Sequence, residues 1–123
     1  MGQFFLAASA ISGFLAVALG AFGAHALKQR LSADMLAVYE TAVQYHFYHT
    51  LALLAVAVLM VNGVQGLKLG GVLFLVGTVI FSGSLYALAL SGVKILGAVT
   101  PIGGLCLLAG WACLAYVAIK GFS

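Results

Sequence analysis

Charge is nearly missing from this chain. Its 123 residues hold five Lys or Arg and two Asp or Glu, 6% in all, where a soluble domain carries about 25%. That shortage excludes a soluble enzyme and a disordered tail. Cysteine is scarce too. Cys106 and Cys113 stand seven apart in one expected helix, roughly 10 Å apart along its axis and too far to bond to each other. A disulfide scaffold is therefore excluded, and both read as small packing residues. The five basic residues form no cluster, so nucleic acid finds no footprint here. Proline occurs once, leaving long stretches free to be helical.

What fills the chain is apolar: 65% hydrophobic residues and a mean hydropathy of +1.25. Lys28, Arg30, Asp34, Glu40, Lys68, Lys94 and Lys120 are the only charged positions. They leave uncharged windows at 1–27, 41–67, 69–93 and 95–119. Crossing a bilayer takes about 20 apolar helical residues. The expected fold is an all-α membrane protein with four transmembrane helices in an up-down bundle. It is a single domain with spans at about 4–27, 33–61, 69–90 and 97–120. These consume the sequence, so any chemistry lies between helices or at their ends. The lipid bilayer is the first partner. Four helices are too few to enclose a wide aqueous pore, so transport would need a homo-oligomer, another membrane protein or a narrow path.

Local signals refine the spans. Ala24-His25-Ala26 resembles a signal-peptide cleavage site, but no Lys or Arg precedes it and the apolar run is long enough to span, so a retained helix is expected. Ala8, Ser12, Ala16, Gly20 and Ala24 form a ridge of small residues four apart, the pattern of a close helix–helix contact in lipid. Ser32 is placed to cap the second helix, with Asp34 in its first turn. That helix, running to Val61, would be roughly 43 Å long, against a hydrocarbon core of about 30 Å. Gly63 and Gly66 offer left-handed caps at its end. Thr100-Pro101 reads as a cap followed by proline at the first helical position. Orientation stays open: Lys28, Arg30 and Lys94 fall on one side, Lys68, Lys120 and the N-terminal amine on the other.

The polar and aromatic residues gather in one half of the expected bundle. His25 ends the first span, and Tyr39, Glu40, His46 and His49 lie in the first part of the second. Tyr86 lies near the matching end of the third, and Thr100 begins the fourth. His46 and His49 are three apart and so share a helix face. Imidazole inside a membrane needs a partner. Three readings are open for this hypothetical binding cluster: an interfacial belt whose histidines bond neighbouring helices, a proton or small-solute path through His25, His46 and His49, and ligation of a metal or haem by a redox partner. No catalytic motif and no metal-ligand spacing is present. No catalytic residue, metal site or cofactor is assigned.

Four strings form a set: GAFGAHAL at 20–27, ETAVQYHFYHT at 40–50, FSGSLY at 81–86 and GAVTPIGG at 97–104. Together they resemble the bacterial membrane-protein family called domain of unknown function 423, itself similar to the eukaryotic transmembrane protein 256. The resemblance covers nearly the whole chain. It implies a small multi-pass protein of the bacterial inner membrane. It implies no reaction, and no catalytic residue follows from it. The function expected from sequence is thus that of a small, non-enzymatic integral membrane protein with a His/Tyr polar cluster.

Overall fold

Several helix ends fall where the sequence supplies caps. In the computed structural model, which describes residues 1–121, α2 runs from Ala33 to Val61. Ser32 Oγ accepts the Met35 N–H at 3.2 Å at its start. At its far end Gly63 takes φ +93°, and two bonds return to the helix, Gly63 N–H to Met60 O and Val64 N–H to Leu59 O, both 3.0 Å. This is a Schellman cap, which needs a left-handed residue and so favours glycine. α3 (Lys68–Ser91) ends on Gly92 at φ +73°, whose N–H reaches Leu88 O at 2.8 Å. α1 (Gly2–Phe22) widens into one π-helical turn at Gly23–Leu27.

α4 (Thr100–Lys120) starts differently from the sequence expectation. Thr100 is its first helical residue and caps nothing. A 3₁₀ turn at Lys94–Ala98 delivers the chain already coiled, so Val99 occupies the cap position with helical angles. The Thr100 hydroxyl is thereby freed for Ser84 Oγ on α3, 2.6 Å away.

All four helices, α1 and α4 taken with their adjoining turns, are long and apolar enough to cross a membrane. Short connections make neighbours antiparallel. Consecutive helices pack side by side, whereas α1 and α4 do not pair. α2 and α3 form the centre, with 39% of each most apolar stretch buried, against 17% for α1 and 22% for α4.

Glycines set the register. A Cβ on Gly23 would overlap the Tyr39 ring, fixing α1 on α2, and one on Gly103 would overlap the Phe81 backbone, fixing α4 on α3. Small residues permit such approach where lipid supplies no hydrophobic drive for association. Phe5, Leu53, Val56, Leu67 and Phe74 form the main core toward the Met1 end. Leu27, Tyr39 and Ala89 form a second, with Tyr86 packed on it, toward the other end. A polar layer lies between them.

Candidate functional site

His46, near the midpoint of α2, is buried and points between α1 and α3. Its Nδ1 lies 2.9 Å from Tyr86 Oη and its Nε2 3.0 Å from Ser12 Oγ. Ser12 Oγ continues to Thr50 Oγ1 at 2.6 Å. One chain of hydrogen bonds, Tyr86–His46–Ser12–Thr50, therefore ties three helices together. Either hydroxyl of the Ser12–Thr50 pair can donate, and the roles of the two His46 nitrogens depend on its tautomer.

His49 belongs to a separate arrangement. Its Nδ1 faces the Tyr45 carbonyl at 2.9 Å, and a carbonyl only accepts, so Nδ1 carries the proton. Its Nε2 receives the Trp111 indole N–H at 2.9 Å, so that nitrogen is bare. The ring is neutral with its tautomer fixed, and both nitrogens are engaged. Phe74 and Trp111 meet it with centroids 5.8 Å away, and Tyr45 stacks on it at 5.9 Å.

The two histidines thus do not converge, although they stand three apart. Residues at that spacing point about 60° apart around a helix. On a central helix, that angle is enough to send one side chain toward α1 and α3 and the other toward α4. Among the described residues, no three His, Cys, Asp or Glu side chains come together.

Tyr39 is buried, donates its hydroxyl to Leu19 O just before the π-helical turn, and meets Tyr86 edge-on at 5.3 Å. Thr100 bonds Ser84 and stays apart from the His46 chain. His25 and Glu40 are exposed and join neither arrangement. Along the small-residue ridge, Ala16 is fully buried, Ala8 packs against the main core and Gly20 faces Val43 on α2, while Ala24 is exposed. Ser12, on the same ridge, supplies a hydroxyl as well as a small surface.

Sequence reasoning missed the parts played by Trp111 and Ser12. A lone tryptophan in an apolar span was the available signal, because a buried indole N–H seeks an acceptor. The two hydrogen-bonded arrangements also reach deeper than the half of the bundle where the polar residues gather in the sequence. Ser12, Thr50 and Trp111 all lie within about one turn of their helix midpoints.

The His46 chain floors a cleft. Between α1 and α3 an elongated groove of about 440 Å³ opens on the outer surface. Its walls are mostly apolar, among them Ile11, Leu15, Leu75 and Val79, and Ser12, His46 and Tyr86 contribute to its lining, as do Thr78 and Ser82, whose hydroxyls are spent on the Phe74 and Ala42 carbonyls. The lining runs from Ala8 to Leu19 on α1 and from Leu75 to Tyr86 on α3, about 16 Å of helix.

Comparison with known proteins now decides the family. The family model described as "Protein of unknown function (DUF423)" matches residues 19–104. The UPF0382 inner membrane protein YgdD of Escherichia coli is 46% identical over 119 residues, covering 96% of this chain and 91% of that protein. The UPF0382 membrane protein YwdK of Bacillus subtilis is 43% identical over 118 residues, covering 94% and 96%. This chain belongs to the DUF423 family. Like these relatives it is an integral, multi-pass membrane protein, and the family carries no assigned activity. No solved structure matches it. Tyr39, His46, His49, Tyr86 and Thr100 lie inside the DUF423 match, whereas Ser12 and Trp111 lie in the flanking helices outside it.

The Ser12–His46 pair has the spacing of a nucleophile and its base. Ser12 sits inside α1, where the nearby backbone N–H groups are spent on the helix, so no backbone donor faces a developing oxyanion.

Proposed function

We propose that this DUF423 protein is non-enzymatic and holds a lipid-phase amphiphile in the cleft between α1 and α3. The apolar tail lies along the groove and the polar head meets the Tyr86–His46–Ser12 floor. The observation that carries this reading is the cleft itself: an elongated apolar groove on the outer surface with one hydrogen-bonding floor. Its volume falls within the range of about 300–1,000 Å³ usual for small-molecule sites. A water-soluble solute would have no route to it through apolar walls, whereas a molecule dissolved in the bilayer meets it sideways. The partner is the lipid phase.

A conduction path has less support. Built from three hydrogen bonds of 2.9, 3.0 and 2.6 Å and one imidazole ring, the His46 chain falls well short of a hydrocarbon core of about 30 Å. His25 and His49 are not linked to it.

Native mass spectrometry of protein purified gently from its own membranes tests the proposal. Wild type carries one amphiphile per chain. Val79→Trp, which fills the groove from an exposed wall position, loses it while keeping its helical melting curve. Equal occupancy in both proteins, or none in wild type, contradicts the reading.

A further inference from the structure

The floor of the cleft has a property that a fixed hydrogen-bond donor lacks. His49 is locked in one tautomer by a carbonyl and an indole, but both partners of His46 are hydroxyls. A hydroxyl donates or accepts with equal ease. Each His46 tautomer is therefore fully satisfied, and the two impose opposite roles on Tyr86. With the proton on Nε2, His46 donates to Ser12 and Tyr86 must spend its proton on Nδ1. Tyr86 Oη can then only accept from a third group. With the proton on Nδ1, His46 donates to Tyr86 Oη and Ser12 must donate to Nε2. The Tyr86 O–H is then free to donate into the cleft.

Tyr86 is the end of the chain with room for a further hydrogen bond. Its Oη has one hydrogen-bond partner, whereas Ser12 Oγ already has two. Tyr86 is also only half-buried and lines the groove.

We infer that the cleft binds both the carbonyl and the hydroxyl form of a lipid-phase molecule, with His46 changing tautomer to match. A carbonyl head accepts from Tyr86 and selects the Nδ1–H form. A hydroxyl head donates to Tyr86 and selects the Nε2–H form. No proton or electron is exchanged with the ligand: while the cleft is empty His46 takes a proton from water on one ring nitrogen and returns the other to water, a net change of zero, and the Tyr86, Ser12 and Thr50 hydroxyls rotate to match. This inference rests on the cleft being a ligand site, and it names the ligand's head chemistry. An acidic or cationic head would find no counter-charge on this floor. A hydrocarbon without a head would leave Tyr86 unused.

Two probes of equal chain length test it, a long-chain primary alcohol and the corresponding methyl ketone, with the plain alkane as reference. Retention on the delipidated full chain is read by native mass spectrometry. The His46 tautomer is read by nitrogen NMR of imidazole-labelled protein in micelles, where a protonated and a bare ring nitrogen are far apart in shift. Alcohol and ketone are expected to be retained within about threefold of each other, and the alkane about tenfold more weakly, as the loss of one hydrogen bond predicts. His46 is expected to be mainly Nε2–H with alcohol and mainly Nδ1–H with ketone. His49 stays Nδ1–H throughout and serves as the internal reference. In Tyr86→Phe, which keeps the ring and its packing, the His46 signal no longer follows the probe. If both probes are retained but His46 shows the same tautomer with both, the inference fails and the ligand site stands. If neither probe is retained above the alkane, the inference and the proposed site fail together.

Discussion

His46 and His49 have the same side chain on the same helix, and their neighbours give them opposite character. His49 faces a group that can only accept and a group that can only donate, so nothing about it can change. His46 faces two hydroxyls and can exist in two forms. The fixed histidine ties α2 to α4 through Trp111. Hydrogen bonds between membrane helices are worth about 0.6 kcal/mol on average, and a stranded buried acceptor adds to the cost of losing one. Trp111→Phe keeps the ring packed on Phe74 and removes only the indole N–H. It is expected to lower stability by about 1–2 kcal/mol, measured by denaturant titration in micelles with circular dichroism. An unchanged midpoint would mean that the Trp111–His49 bond is not formed in the folded protein. That the histidines needed partners was legible in the sequence, from their place inside an uncharged window. Which side chains they would take was not, because Ser12, Tyr86 and Trp111 lie 34, 40 and 62 residues away in the sequence.

At the scale of the helix, the sequence was most informative where a single residue type performs a single job. Long gaps between charges marked the spans, Ser32 marked the start of α2 and Gly63 marked its end. It was least informative where a residue had two options. Thr100 could cap its own helix or bond a neighbouring one, and the 3₁₀ turn before it removed the need for a cap. Glycines in the spans raise the same question, since composition does not say which are packed against a neighbour and which face lipid. Gly103 presses on the Phe81 backbone, and backbone cannot step aside as a side-chain tip can. Gly83 on α3 has open space where a Cβ would stand. Gly103→Ala is therefore expected to push α4 from α3 at a cost of about 1–3 kcal/mol, as overpacking does. Gly83→Ala should leave stability unchanged or slightly raised, since alanine is the better helix former. Thermal melts of the two variants beside wild type check this. Equal losses would show that α3 and α4 are not in the register described.

For the whole molecule, the decisive feature is which helices are central. α2 and α3 are packed on both sides, and α1 and α4 lean on them without pairing with each other. A square bundle would have closed the face between α1 and α3. This arrangement leaves it as a groove, and the buried His46 chain forms its floor. Four spans and an up-down order were readable from the spacing of charges. The groove was not, because it depends on how far α1 stands from α3, which the Phe5 ring against Gly71 helps to set. The central claim is that this groove, and not the lipid-facing surface at large, selects a molecule from the bilayer. Photolabelling in native membranes with a diazirine-bearing long-chain alcohol, mapped by peptide mass spectrometry, tests it most directly. The prediction is that adducts concentrate on Ile11, Leu15, Val79 and Gly83 of the groove. The similarly exposed residues Ile102, Tyr116 and Ile119 of α4, which line no cleft, should be labelled only weakly. Adducts spread evenly over the four groove residues and the three on α4 would contradict the account.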